Sequence, residues 1–524
     1  MRKKLILIAL IGSLLGGDAW AQSQEEALPF TDIGDSYART YITELHEKGM
    51  IDGVGNQMYE PHSPVTRAAF VTMLMRVMKK EATPGGIPSF KDVPPSSWPY
   101  GWVQAAVYTN TVSGVAPGQF ASDQSVTRQE AATLLARALT LVHAGDTATA
   151  SVPFTDGYAV ANWARGSVAA VQKQGIMTGD NGYFRPADTL TREELAVLMH
   201  KVLAQETSAQ PVTSVMPIHL GWQYDISNDE YKTRVTASGM VNTLSPRWFF
   251  LDAEGAGSYG VDESLIRFAK DNNKQMWPLV GNRFNGENTH KQLSDEGKRG
   301  ALVRQLAGYA RTYGLAGLNI DFENIDPADR TYFTAFIREL GTELHRDGRK
   351  LSVDVPPDLG TDWSDPYDFA ELARYADYLV VMAYNEHWSE GRQIGSNASL
   401  PWVRSHVEKL LKIVPRDRLI VALPLYTMQW EQTGKGISAQ EISQAASLEQ
   451  AQKSGARPVW DASAAQYMVR IPHNGTVQSM WLEDSRSLSA KYEAMRTLGV
   501  AGVAFWYIGG EENNIWPALR NARN

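Results

Sequence analysis

The chain has 524 residues, 43% hydrophobic and 21% charged, which is too long for one ordinary domain and ample for a large core. A formal charge of −8 argues against nucleic acid or any polyanion bound through net charge. With no cysteine, the chain cannot carry disulfide staples, a lipid-modified N-terminal cysteine, or zinc–thiolate and iron–sulfur sites.

At the N-terminus Arg2, Lys3 and Lys4 precede an apolar run over residues 5–15, followed by Ala19-Trp20-Ala21. This predicts a secretory signal peptide over 1–21, because so short a run cannot span a bilayer. Its removal takes away three positive charges and one negative (Asp18), so −8 becomes −10. No later stretch has the length of a membrane helix, so no membrane insertion is expected of the mature form.

An internal repeat follows. Phe30-Thr-Asp32, Phe90-Lys-Asp92 and Phe154-Thr-Asp156 recur, as do Thr66-Arg67, Thr127-Arg128 and Thr191-Arg192. Between them Tyr37, Trp98 and Trp163 lie five residues before Ile42, Val103 and Val168, and Gly53, Gly114 and Gly179 come eleven later. Each unit (28–83, 88–143, 152–204) reads as a helix, a Gly-ended turn, a loop, and a second helix N-capped by the Thr of the Thr-Arg pair.

These units resemble the S-layer homology module, with all four landmarks recurring in order. The resemblance implies an anchor for a secondary cell-wall polymer, often one with acidic, pyruvylated sugars, and hence a secreted, wall-associated protein. Arg67, Arg128 and Arg192 would then pair with acidic groups of the polymer, a guanidinium matching a carboxylate fork. Asp32, Asp92, Asp156, Trp98 and Trp163 are the other expected polymer-binding positions. The alternative for each Arg is to satisfy helix-end carbonyls or the repeat's own Asp. The first copy departs most, with Tyr37 in place of Trp and Ala68-Ala69 at the acidic position.

Residues 205–216 read as a polar, Pro-containing linker. Over 217–524, candidate strands at 219–224, 248–251, 276–280, 318–322, 351–355, 378–382, 419–423 and 500–506 alternate with amphipathic stretches. This pattern predicts an α/β fold, a (βα)8 TIM barrel. The long interval 427–499 holds β-like runs around 467–471 and 477–481, predicting a small α+β insertion after the seventh strand.

Chemistry in such barrels sits at the C-terminal strand ends. The fourth strand ends Gly317-Leu318-Asn319-Ile320-Asp321-Phe322-Glu323-Asn324, and alternation puts Asn319, Asp321 and Glu323 on one side. Polar groups facing a barrel interior are costly unless used or bonded.

Here the chain resembles glycoside hydrolase family 18, whose fourth strand ends D-G-x-D-x-D-x-E. Further landmarks are Trp248-Phe-Phe-Leu-Asp252, Met382-Ala-Tyr384, Pro424-Leu-Tyr426 and Gly502-Val-Ala-Phe-Trp506. The likeness is greatest to the branch acting on peptidoglycan, including spore-cortex N-acetylglucosaminidases. The resemblance implies substrate-assisted catalysis, in which the 2-acetamido oxygen of an N-acetylhexosamine glycan attacks the anomeric carbon. Glu323 would be the acid and then the base, Asp321 would orient the acetamido group, and Tyr384 would hydrogen-bond its oxygen. Trp506 would floor the pocket, with Trp222, Tyr224 and Tyr426 as wall and Asn385 as a further substrate contact. The chain departs from the family pattern at Ala316, Asn319 and Asn385. With Asn319 in place of Asp, a negative neighbour is lost and Asp321 is expected to ionise more readily. No cofactor is expected, and His219, His290, His387 and His473 show no metal-ligand spacing. The same residues leave open chitin as the polymer, a non-catalytic glycan-binding barrel, and a structural envelope protein.

Overall fold

The structure is a computed structural model that describes residues 28–142, 150–208, 216–391 and 393–523. The signal peptide expected at 1–21 lies outside the described residues.

Each repeat is a helical pair: Arg39–Glu47 with Arg67–Val77, Tyr100–Tyr108 with Arg128–Ala138, and Arg165–Lys173 with Arg192–Ser208. The landmarks have physical reasons. Thr66 and Thr127 cap their helices by accepting from the N–H of Ala69 and Glu130, and Thr191 accepts from Glu194 in the same way. A Cβ on Gly53, Gly114 or Gly179 would come within 2.6, 2.6 and 2.7 Å of the Phe30, Phe90 and Phe154 rings, so the aromatic and the glycine are one contact seen twice. Each repeat Asp clamps a turn through its backbone. Asp32 accepts from the N–H of Tyr59 and Glu60, Asp92 from Phe120 and Ala121, and Asp156 from Phe184 and Arg185.

The three copies close into a ring. Val126 N–H donates to Val65, Leu190 N–H to Val126, and Val65 N–H to Leu190, at 2.9–3.0 Å, joining the residues just before the three Thr-Arg pairs. The third repeat's last helix continues to Ser208, so the linker expected to begin at 205 is helical at its start. Its remaining residues up to 215 lie outside the described set.

The second half begins with β1 (Ile218–Gln223), β2 (Thr243–Asp252), β3 (Gly255–Ser258), β4 (Gln275–Met276), β5 (Leu279–Gly281), β6 (Gly317–Asp321), β7 (Lys350–Val355), β8 (Tyr378–Met382) and β9 (Leu419–Pro424). A separate antiparallel sheet comprises β10 (Tyr426–Thr433), β11 (Gly436–Ser443), β12 (Val459–Asp461), β13 (Gln466–His473) and β14 (Thr476–Leu482). β15 (Gly502–Ile508) returns to the first sheet. Strands β1, β2, β5, β6, β7, β8, β9 and β15 pair in parallel, and β1–β2 contacts from Leu220↔Thr243 onward close them into an eight-stranded barrel. β3 folds back antiparallel on β2, and β4 is a short continuation beside it. Leu220, Leu244, Leu279, Leu318, Leu351, Leu379, Leu419 and Val503 are fully buried, so each strand of the barrel contributes an aliphatic side chain to the core. The expected insertion is the β10–β14 sheet with helix Gln444–Lys453. Helix Ser485–Leu498 then leads back to the barrel.

The ring and the barrel touch. Glu81, at the end of the first repeat, takes both Nε and Nη2 of Arg520 at 2.6 Å, and Asn521 exchanges hydrogen bonds with the Glu81 backbone. Ala518, on the C-terminal helix Ile515–Arg523, packs into the repeats' core. Ile87 packs with Tyr467, Met480 and Leu448 of the insertion.

Candidate active site

β6 delivers Asn319 and Asp321 to the barrel interior, with Glu323 just past its end. Asn319 is fully buried and fully bonded. Its Oδ1 accepts from Trp222 Nε1 (2.8 Å) and Ser245 Oγ (3.2 Å), while its Nδ2 donates to Ser352 Oγ (3.1 Å) and Asp354 Oδ1 (2.7 Å). An amide suits this place because it both donates and accepts. The Glu323 backbone is pinned from both sides by Asn282 at the end of β5, whose Oδ1 accepts from its N–H (3.0 Å) and whose Nδ2 donates to its carbonyl (2.7 Å). Tyr367 OH donates to the Phe322 carbonyl at 2.7 Å.

The carboxyls themselves are left free. Among the described residues neither Asp321 nor Glu323 has a side-chain hydrogen bond or ion pair, although both are set back in the barrel mouth. Burial lifts Asp321 to about 6, offset in part by the Arg247 guanidinium. Burial also holds Glu323 well above the usual carboxylate range, reinforced by the Asp321 charge and opposed by Arg247. Asp354 is raised likewise, by burial first and then by Asp321. Asp321 is therefore the first of the three to ionise, but the ready ionisation expected from Asn319 is outweighed by desolvation. Between about pH 6 and the Glu323 transition the pair is poised with Asp321 charged and Glu323 protonated.

Around them, the Tyr384 ring meets Tyr426 edge-on at 5.9 Å, and its hydroxyl has no hydrogen-bond partner among the described residues. Tyr426 OH donates to Asn385 Oδ1 at 2.7 Å, and Asn385 N–H donates to Asn397. Trp506 is partly exposed at the end of β15 with Tyr224 tilted against it at 5.6 Å. Trp222 corrects one expectation. It is 1% exposed, set edge-on to Trp506 and spent on Asn319, so it lies beneath the pocket and does not line its wall. Ala316 keeps its place in the sheet, accepting from Lys350 N–H and donating to Met276.

Two residues were missed by the sequence reading. Asp354 is the last but one residue of β7, on the same inward alternation as Ser352, a signal that the rule applied to β6 would have found. Arg247 lies in β2 ahead of the apolar stretch 248–251 that marked the strand. Among the described residues no group of three or more His, Cys, Asp or Glu has the arrangement to hold a metal.

In the repeats, Trp98 and Trp163 are 65% and 51% exposed, as is Tyr37 at 65%. The three arginines are buried and already engaged between copies. Arg192 donates to the carbonyls of Tyr59 and Asp52, Arg128 to the Phe184 carbonyl and Glu194, and Arg67 lies 3.8 Å from Glu130. Each also sits over an aromatic ring of another copy: Arg67 over Phe120, Arg128 over Phe184 and Arg192 over Tyr59. The three Asp side chains are committed to backbone amides, as described above.

Residues 240–511 match the family described as Glycosyl hydrolases family 18. The chain belongs to that family. It is a glycosidase. Residues 29–71, 89–132 and 153–196 match the S-layer homology domain, which associates the protein with the cell wall and S-layer outside the cell. Among the described residues no helix is long and apolar enough to cross a membrane. The chain is 27% identical over 297 residues to an uncharacterized glycosylase, YvbX, of Bacillus subtilis (strain 168), covering 53% of this chain and 84% of that one. It is 26% identical over 253 residues to a cortical fragment-lytic enzyme of the same organism, covering 47% of this chain and 58% of that protein, little more than half its length. The crystal structure of a chitinase from Chromobacterium violaceum ATCC 12472 superimposes with a TM-score of 0.53 at 23% identity, covering 58% of this chain and 98% of that one, a likeness of fold.

Proposed function

We propose that this family 18 glycosidase cleaves β-1,4 bonds after N-acetylglucosamine in peptidoglycan, by substrate-assisted retaining catalysis, while its repeats (28–83, 88–143, 152–204) hold a secondary cell-wall polymer. The observation that carries the reading is the pair on β6: a Glu323 carboxyl held protonated beside an Asp321 that ionises first. A protonated Glu323 donates to the departing glycosidic oxygen, and the resulting carboxylate then takes the proton of the incoming water. The substrate's acetamido oxygen forms the temporary bond to the anomeric carbon, so no second carboxylate nucleophile is needed. Ionised Asp321 stabilises the acetamido nitrogen as it becomes positive. The free Tyr384 hydroxyl donates to the acetamido oxygen and fixes its line of attack. Trp506 and Tyr224 offer flat faces to the sugar, and Tyr426 and Asn385 hold the rim beside Tyr384. The kinship with a cortical fragment-lytic enzyme favours peptidoglycan as the polymer.

Turnover of purified peptidoglycan by wild type and Glu323→Gln, with new reducing ends identified by mass, tests this. The expected result is fragments ending in reducing N-acetylglucosamine from the wild type, and a rate about 10²–10⁴-fold lower for the variant. Release from chitin alone would replace the polymer, and binding without release by either protein would make the barrel a lectin. For the repeats, binding to wall before and after removal of its secondary polymer is the test. The exposed Trp98 and Trp163 are the contacts whose replacement by Ala weakens it. Unchanged binding to stripped wall would defeat the anchor.

A further inference from the structure

Beside the catalytic pair lies a cleft of ≈ 540 Å³, lined by β1, β2 and the segments that follow them, including Gln223, Tyr224, Asp225, Arg247, Phe250 and Tyr259. Its notable member is Arg247. The guanidinium is stacked over Tyr224 (4.9 Å) and Phe250 (5.3 Å), and it is near enough to Asp321 and Glu323 to pull the pKa of both down, favouring their ionised forms. Yet among the described residues it forms no ion pair, and its buried Nε has no hydrogen-bond partner. A second guanidinium, the exposed Arg283, lies over two aromatic rings of the same cleft, 4.5 Å from the Phe250 ring centre and 5.0 Å from that of Tyr259. A buried donor left unsatisfied costs free energy, and arginine's fork is preorganised for a carboxylate. Among the described residues only one acidic side chain, Asp225, lines the cleft. With a formal charge of −8 on the chain, any anion the enzyme accepts has to be met by local positive groups such as these.

The geometry points to Arg247, assisted by Arg283, as the residue that selects a carboxylate carried by the glycan next to the bond being cut. This rests on the peptidoglycan reading and narrows it. The substrate is an N-acetylhexosamine polymer with acidic substituents, either the lactyl carboxylate of a muramic residue or a carboxylate of its attached peptide. A neutral polymer such as chitin would leave both guanidiniums without a partner.

The test compares kcat/KM of wild type, Arg247→Gln and Arg247→Lys on four substrates, each at its own optimal pH. These are peptide-free glycan strands with free lactyl carboxylates, the same strands with that carboxylate converted to the methylamide, peptide-bearing strands, and chitin oligosaccharides. The expected result is that wild type prefers a carboxylate-bearing strand by tenfold or more. Arg247→Gln should erase the preference and Arg247→Lys restore part of it. A preference for free over amidated strands identifies the lactyl group, and one confined to peptide-bearing strands identifies the peptide. An equal loss by Arg247→Gln on charged and neutral substrates, or no preference in wild type, overturns the inference while leaving the peptidoglycan reading intact. Wild type that cuts only chitin oligosaccharides overturns both.

Discussion

Asn319 Nδ2 donates to Asp354 Oδ1 at 2.7 Å, in a place where neither group reaches water. Asn319→Asp would set two carboxyls against each other and remove the donor, at a cost of roughly 1–3 kcal/mol. Because both groups would have folded-state pKa values above their unfolded ones, the folded protein holds extra protons. Stability is therefore lost as pH rises through the carboxylate range. Chemical denaturation of Asn319→Asp should show the loss at pH 8 and much less at pH 5. The exchange Asn319→Asp/Asp354→Asn should recover most of it.

On the mechanism proposed above, Asp321 and Glu323 fix the shape of the pH–rate profile. Activity should rise as Asp321 ionises near pH 6 and fall when Glu323 loses its proton at higher pH. Asp321→Asn should cost roughly 10²–10³-fold in kcat. In that variant's residual activity the acid limb should vanish and the alkaline limb move to lower pH, because the charge that helps raise Glu323 is gone. Profiles of kcat/KM on one soluble oligosaccharide check both limbs.

These residues were unequally visible in the sequence. Asp321 and Glu323 stood out because alternation along a strand of Leu, Ile and Phe isolates polar side chains on the inner face. Asp354 obeys the same alternation, but its inward neighbour Ser352 is a weaker contrast than Asn319. Arg247 is hidden because Pro246 interrupts the run, so the apolar pattern marks a strand only from Trp248, whereas β2 starts at Thr243. Trp222 was misread for a different reason. An inward aromatic at a strand end lines a pocket or lies under it according to its neighbours' packing, which one strand's pattern does not contain. In the repeats, the Phe, Gly, Asp and Thr landmarks recurred because local contacts demand them. The closure of the copies into a ring depends on pairings 61, 64 and, for Val65 with Leu190, 125 residues apart, which periodicity does not encode.

The contact between aromatic and glycine gives a stability test. Ala at Gly114 would need a left-handed φ (+83°) and would bring Cβ to 2.6 Å from both the Gln119 carbonyl and Phe90. Gly114→Ala should destabilise the repeats by roughly 2–4 kcal/mol. Gly308, inside helix Glu296–Thr312 with nothing near its Cβ position, is the contrast. Gly308→Ala should stabilise the barrel by about 0.5–1 kcal/mol. Thermal unfolding of the two variants should move in opposite directions.

The bond between Glu81 and Arg520 is two-pronged but partly open to water, with Glu81 44% exposed at its side chain. A double-mutant cycle with Glu81→Ala and Arg520→Ala should therefore give a coupling of only about 0.5–1 kcal/mol. The larger effect should be on geometry. Small-angle scattering of Arg520→Ala should show a broader distribution of distances between the two halves than wild type.

That junction has a bearing on where the enzyme can work. If the barrel hung from the repeats by a cord alone, its mouth could sweep a volume and graze any strand within reach. Braced by the C-terminal helix and by Ile87, it behaves as a blade clamped in a plane, whose depth of cut is set by the tool. On the function proposed above, glycan lying at one height above the anchoring polymer, and presented at one angle, is the glycan within reach, and layers nearer or farther come within it only as the wall grows or thins beneath them.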